Sequence, residues 1–480
     1  MSDNFAIGQG DAVITAATPF KVVLINPYEL GRQSFNLAAP TALLKAAGCE
    51  VASLDLTLEK LEPDTLRDAD LVAIHLGMHT ATRIAIAALP KIRELAPPNT
   101  HLAMYGLYAS MNADLLRGLG VHSLLSGEFE PELVALVERL RDGDMSPQST
   151  PMVQLAKVNF LPPDRSGLPK LTRYAHLILP DGDTKVVGFT ESTRGCKHLC
   201  RHCPVVPVYE GKFRTVQVDV VLADIEQQVA AGAEHISFGD PDFLNGPTHA
   251  MRVLEAMHER FPKLSFDATI KIQHLINHAE LLPRLHDYGC LFVQSAVESV
   301  DNDVLGYFDK GHTRADFQIA FELCQADGIS LAPTFVAFNP WTTLEGYIDL
   351  LSEVLRLKLV ESVPPIQLAI RLLVPQGSYL LHLPGFPDRL EAFDSTMLGY
   401  PWKHTDPRVD ALQLQIMDTA MRMEDDPRGE VFSAIWQLAH DATGLPTPTL
   451  DHADFGETIA RLSEPWYCCA EPTEQQLMAF

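Results

Sequence analysis

The run Thr193-Arg194-Gly195-Cys196-Lys197-His198-Leu199-Cys200-Arg201-His202-Cys203-Pro204 sets three cysteines at C-x3-C-x2-C spacing. Three thiolates hold three irons of a [4Fe-4S] cube, and the fourth iron is then open to a small molecule. Electron-transfer clusters are closed by four cysteines, so three in one short loop point to a catalytic cluster. Zinc is the bland alternative, because His198 or His202 would complete a Cys3His set. Structural zinc sites, however, draw ligand pairs from separate turns, and no second C-x2-C follows this one.

Outward from the loop, strands and helices alternate. A strand at 185–189 leads into the cysteines. Helices at 218–231, 249–260, 280–288, 315–327 and 344–358 then alternate with strands at 235–238, 264–267, 290–295, 329–336 and 366–373. Six strands with five intervening helices predict a parallel barrel or part of one. Upstream, strands at 21–25, 50–55, 71–75, 101–105 and 121–125 alternate with helices and predict a doubly wound α/β sheet. The Pro- and Gly-rich stretch 146–184 reads as a connection. The expected organisation is a Rossmann-like domain at 20–145, a linker at 146–184, a barrel at 185–395 and a helical region at 396–480.

The cysteine spacing and this order of elements resemble the radical S-adenosylmethionine (SAM) enzymes, whose barrel is an incomplete six-stranded one. The resemblance implies that the open iron chelates the amino and carboxylate groups of SAM. It also implies a small-molecule substrate and a reducing partner such as flavodoxin or ferredoxin. The family's strand-end motifs have counterparts here. Gly239-Asp240 stands at the glycine-rich turn facing the SAM amino group. Gln294-Ser295-Ala296-Val297-Glu298 resembles a G-[IV]-E-S strand end, which makes Glu298 a candidate contact to SAM. Leu373-Val374-Pro375-Gln376-Gly377 resembles the turn beside the adenine. Arg371, on the same face as Leu373, is a candidate partner for the SAM carboxylate, and Lys271 is a second cationic candidate.

The first domain resembles the cobalamin-binding domain of one branch of these enzymes, and Gly127-Glu128-Phe129-Glu130 is similar to its closing turn. The D-x-H-x-x-G motif is absent, and Tyr105-Gly106-Leu107 replaces the usual glycine pair. A scaffold without the cofactor is therefore the expectation, with cobalamin-dependent methyl transfer as an alternative.

The chain approaches its end in Cys468-Cys469-Ala470-Glu471-Pro472, which resembles the tail of the CUAEP/CCAEP radical SAM family. Adjacent α-carbons lie about 3.8 Å apart, short of the roughly 5.5–6 Å that disulfides prefer. The pair instead presents two soft sulfurs for a thiophilic centre. Trivalent arsenic is the expected ligand, so Cys468 and Cys469 are candidate catalytic residues in arsenic–carbon bond formation by a 3-amino-3-carboxypropyl or adenosyl radical. A redox couple, an auxiliary metal site and a non-catalytic thiophile sensor are the competing readings.

A net charge of −25 over 480 residues speaks against nucleic-acid binding. The 46% of apolar residues supply large cores without a run long enough to span a membrane. Cys49, Cys290 and Cys324 lie in apolar segments and read as buried hydrophobes. An oxygen-sensitive cluster and reduced thiols point to the cytoplasm.

Overall fold

The computed structural model describes residues 19–148, 152–464 and 474–478. The first unit is a sheet built from β1 (Lys21–Asn26), β2 (Glu50–Asp55), β3 (Leu71–His75), β4 (His101–Tyr105), β5 (Ser123–Gly127) and β6 (Met152–Gln154). The spatial order is β2-β1-β3-β4-β5-β6, and every pairing is parallel. β3, β4 and β5 are buried along their whole length, as a sheet covered on both faces requires. This is the expected doubly wound α/β unit. The strand order reverses between β1 and β3, and ligands of such folds bind beyond the carboxyl ends at this kind of switch point.

The stretch expected as a linker does more than connect. It supplies β6 to the first sheet and β7 (His176–Ile178) to the second. Its Arg165 is buried between the units. It pairs with Asp224 at 2.7 and 2.8 Å, and also donates to the Gln33 and Phe189 carbonyls.

The second sheet continues with β8 (Thr184–Thr190). The short hairpin of β9 (Thr193–Gly195) and β10 (Phe213–Thr215) carries the cysteine loop between its arms. β11 (His235–Phe238), β12 (Ser265–Thr269), β13 (Cys290–Glu298) and β14 (Ser330–Phe335) complete the parallel wall with β8. β15 (Arg461–Leu462) closes the edge against β7. The curled wall is the expected partial barrel with one correction. The stretch 366–373 does not form a sixth strand. Residues Pro365–Leu368 make a 3-10 turn, and a single bridge from Phe338 to Arg371 is all that pairs with the neighbouring segment. Pro364 and Pro365 lack amide protons and restrict the residues before them. Helices Pro407–Arg422 and Arg428–Thr443 pack against this irregular side. Their Leu412, Ile416, Phe432 and Ile435 belong to the barrel core.

Cys49, Cys290 and Cys324 are buried and unpaired, as expected. No described helix is long and apolar enough to cross a membrane.

Candidate active site

Gly195 enters the cysteine loop at φ +72°, and a Cβ there would collide with the Tyr209 ring and the Lys212 carbonyl. Only glycine takes that turn without strain. Asn245, after β11, clamps the loop entrance by donating to the Gly195 carbonyl at 3.3 Å and accepting from the Lys197 amide at 3.3 Å. Cys200 is buried, and Cys196 and Cys203 are partly so. Burial, with the neighbouring cysteines adding to it, pushes the Cys203 thiol up to about 12. Lys271 Nζ lies 3.4 Å from Cys200 Sγ and donates to the Lys310 carbonyl at 3.1 Å. The two histidines of the loop turn to other partners. His198 meets His274 at 3.2 Å, and His274 in turn meets Asp242 at 2.7 Å. His202 lies 3.0 Å from Glu298. His202 keeps its Nδ1 without a partner among the described residues.

A cavity of about 410 Å³ opens between the two units and is bordered by Cys203, Gly239, Asp240 and Glu298. Gly239 packs directly under Phe189, whose ring occupies the space a Cβ would need. Glu298 ends β13 in the left-handed region, at φ +70°, where a register shift breaks the pairing with β14. Such strain concentrates at functional positions. Burial opposes the charge of Glu298, yet Lys310 and His202 hold its carboxyl down at about 2.

Two candidates stand differently from the sequence reading. Asp240 does not offer a free carboxylate to an ammonium. It accepts from the Ser192 amide at 2.8 Å and from the Ser192 and Thr193 hydroxyls at 2.6 Å each, which ties down the turn ahead of the cysteines. Burial raises its carboxyl to about 7. Arg371 does not reach the cysteine cavity. Its guanidinium stacks 3.5 Å from the Trp402 ring, pairs with Asp410 at 2.7 Å and borders a separate cavity. Pro375 lies in a turn whose Ser378 donates to the Arg201 carbonyl at 3.1 Å, so this turn braces the cysteine loop. Cys468 and Cys469 lie outside the described residues.

The sequence reading missed the acidic wall of the cavity. Asn36 links Glu29 at 3.2 Å to Glu191 at 2.8 Å. Arg194 bridges Glu191 and Glu130 at 2.7 Å each. Glu29 Oε2 is buried without a hydrogen-bond partner. Burial raises its carboxyl to about 8; the Asn36 hydrogen bond opposes this, and Glu191 and Asp55 reinforce it. A folded-state value above the unfolded 4.5 means that Glu29 stabilises the fold fully below about pH 4.5. That contribution is lost as pH rises through about 8. Glu29→Gln is therefore expected to lose less stability than the parent chain between about pH 5 and 8.5, by a few kcal/mol. Urea unfolding across that range measures the difference, and parallel curves would show that Glu29 ionises normally.

Residues 190–342 match the Radical SAM superfamily model, and they contain the cysteine loop, Gly239, Asp240 and Glu298. These residues form a radical SAM domain. A putative methylthiotransferase of Methanocaldococcus jannaschii is 20% identical over 296 residues, 58% of this chain and 63% of the relative. The bacteriochlorophyllide d C-12(1)-methyltransferase of Chlorobaculum tepidum is 26% identical over 126 residues, 26% of this chain and 27% of the relative. The chain thus spans less than two thirds of either curated relative. Among solved structures, the radical SAM methyltransferase TsrM of Kitasatospora setae, with cobalamin and a [4Fe-4S] cluster bound, superposes with a TM-score of 0.57. It is 18% identical, and the match covers 71% of this chain and 73% of that one. The cobalamin-dependent radical SAM enzyme OxsB, with aqua-cobalamin and SAM bound, superposes with a TM-score of 0.64 at 15% identity, covering 88% and 72%. At these identities the likeness speaks for the fold.

Proposed function

We propose that this protein is a cobalamin-dependent radical SAM methyltransferase acting on a small molecule. The observation that carries the reading is the placement of the 410 Å³ cavity. The carboxyl ends of the first sheet meet the cysteine loop across it, with Gly77, Gly106 and Gly127 on one side and Cys203, Gly239 and Glu298 on the other. The donor set fits a [4Fe-4S] cluster, since three cysteines share one loop and Lys271 stands against Cys200.

A corrinoid would meet the first-unit wall of this cavity. That wall carries three strand-end glycines, and the buried His75 at the end of β3 keeps an unpartnered Nδ1 there. Burial lowers His75 to about 3, so its imidazole is neutral at ordinary pH. Residues Gly77, Gly106, Leu107 and Tyr108 would hold the corrinoid from the first unit. When bound, the cluster supplies an electron to the SAM sulfonium and the corrinoid supplies a carrier for the methyl group.

The protein's own contribution is electrostatic and positional. Lys271 and Lys310 place two buried cations beside the thiolates and offset the charge a reduced cluster gains. Glu298, held ionised, is an acceptor for SAM hydroxyl or ammonium groups at the strand end. Phe189, Phe129 and Ile370 keep water from the space between them.

The arsenic reading rests on Cys468 and Cys469. Both cysteines lie outside the described residues. That reading gives way to methyl transfer, which the structural likeness to two cobalamin enzymes supports.

The test is anaerobic reconstitution with iron, sulfide and hydroxocobalamin, followed by reduction and incubation with methyl-labelled SAM. The expected result is one corrinoid retained per chain after gel filtration, with S-adenosylhomocysteine as a product. Retention of no corrinoid, or arsenite-dependent methylthioadenosine in place of S-adenosylhomocysteine, would overturn the reading.

A further inference from the structure

His198, Asp242 and His274 meet beside the cysteine loop, and each comes from a different element. His198 stands midway between Cys196 and Cys200 in the loop. Asp242 follows β11, and His274 lies in the helix Ile272–Asn277 after β12. One nitrogen or oxygen atom from each lies within 4.8 Å of the other two. The rings of His198 and His274 have centroids 4.9 Å apart and Nε2 atoms 3.2 Å apart. Asp242 Oδ2 is 2.7 Å from His274 Nδ1 and 3.9 Å from His198 Nε2.

Hydrogen bonding does not account for the whole cluster. The Asp242 side chain is fully buried, and a carboxylate in such a place is costly unless it is paired or holds a metal. Its Oδ1 accepts from the Lys271 amide at 3.3 Å. Its Oδ2 and the adjacent His274 Nδ1 have no hydrogen-bond partner among the described residues, although they are 2.7 Å apart. An imidazole N–H donates close to one direction. A contact this short without that alignment leaves two electron-rich atoms side by side, as two ligands of one ion stand. A cation held by both removes the repulsion.

The residue types select the ion. Two imidazoles and a carboxylate suit zinc, at about 2.0–2.2 Å from each ligand atom, with a fourth position left for water. Calcium and magnesium prefer oxygen ligands throughout. The Lys271 amide supplies an outer-sphere bond that fixes the carboxylate. His198, 23% exposed at its side chain, gives an ion a way in, while Asp242 and His274 are buried behind it. Ligand identity, spacing, outer-sphere support and an entry path are what such a site requires.

We propose that His198, Asp242 and His274 bind one zinc ion, separate from the cluster, which pins the middle of the cysteine loop to the segments after β11 and β12. Cys196 and Cys200 flank His198 at two residues on either side, so holding that ring holds the span between two cluster ligands. Lys271 joins the two sites, since its amide holds Asp242 and its Nζ stands 3.4 Å from Cys200 Sγ. The site needs neither a corrinoid nor methyl transfer, so it stands or falls apart from that reading.

The test begins with the unaltered full chain, reconstituted with iron and sulfide and then given equimolar zinc. Gel filtration should leave about one zinc per chain beside the iron. Zinc-edge X-ray absorption should show nitrogen and oxygen neighbours, with imidazole scattering and no sulfur. Asp242→Asn and His274→Gln should each weaken zinc binding about a hundredfold, because even an outer partner of a ligand is worth about 10–100-fold. Competition with a coloured zinc chelator reads that change. His278→Gln, whose ring centroid stands 5.7 Å from that of His274 outside the set, should bind zinc as the parent does. Failure of the parent to retain zinc overturns the proposal. So does sulfur in the zinc shell, which would place the ion on cysteines, and so does unchanged affinity in both Asp242→Asn and His274→Gln. The X-ray measurement needs no variant, so a substitution that spoils folding does not shelter the idea.

Discussion

Replacing Cys196, Cys200 and Cys203 together by alanine is expected to abolish iron-dependent visible absorbance and to take SAM cleavage below detection. The far-ultraviolet circular dichroism should remain that of the parent. The loop owes its path to contacts that survive the change. Gly195 makes the entry turn, Asn245 clamps the Gly195 carbonyl, and the Pro375–Ser378 turn braces Arg201. The thiols themselves gain little from the metal-free fold. Cys203 is held neutral by burial, with its value pushed up to about 12, so ligation must expel its proton and metal binding drives that step. The parent should carry about four irons and four sulfides per chain, measured by elemental analysis beside activity. Cys49→Ala, at the far edge of the first unit, should keep both. One zinc per chain and no sulfide in the parent would sink the cluster assignment and every step built on it.

Much of the fold was legible because parallel sheets advertise themselves. β1, β3 and β4 are short strands with apolar centres, Val22–Ile25, Leu71–Ile74 and Leu102–Met104, the pattern of strands buried on both faces. The cysteine loop was legible for a similar reason, since its ligands are neighbours in sequence. The sixth strand failed on a local cause visible in hindsight. Val363-Pro364-Pro365 breaks a strand before the apolar run 366–374 begins, and the run outweighed the prolines. Arg371 failed on a distant cause. Periodicity placed it on the ligand face, but Trp402, some thirty residues on, captures its guanidinium. Glu29, Glu191 and Lys310 carried no signal as single charged residues in loops. What gives them meaning is burial, and burial is set by the docking of one unit on the other. Gly127-Glu128-Phe129-Glu130 was recognisable as a turn, but its partner Arg194 lies in another unit.

That partner is where the largest loss of stability is expected. Arg194 sits two residues before Cys196 on β9, yet its guanidinium enters the first unit. There it pairs with Glu130, accepts the company of Phe35, Phe129 and Phe160 at 5.1–5.5 Å, and donates to Asn36 at 3.0 Å. One cation thus serves Glu130 and Glu191, with Glu128 close by. Arg194→Met keeps the volume of the side chain and removes the charge, leaving two carboxylates buried without a counterion. Breaking a buried pair in this way costs about 3–5 kcal/mol. The loss must depend on pH. Burial already raises Glu130 to about 7 with Arg194 in place, and a carboxyl with a raised folded value favours the fold when protonated. The variant should therefore be closest to the parent near pH 5 and furthest from it near pH 8. Adding Glu130→Gln and Glu191→Gln to Arg194→Met removes the orphaned charges and should restore most of the stability at pH 8. Urea unfolding of the metal-free chains at both pH values reads all of this without reference to catalysis. If the triple variant is as unstable at pH 8 as Arg194→Met alone, the guanidinium acts through its packing on the three rings. The ionic latch between the first unit and the cysteine loop would then be ruled out.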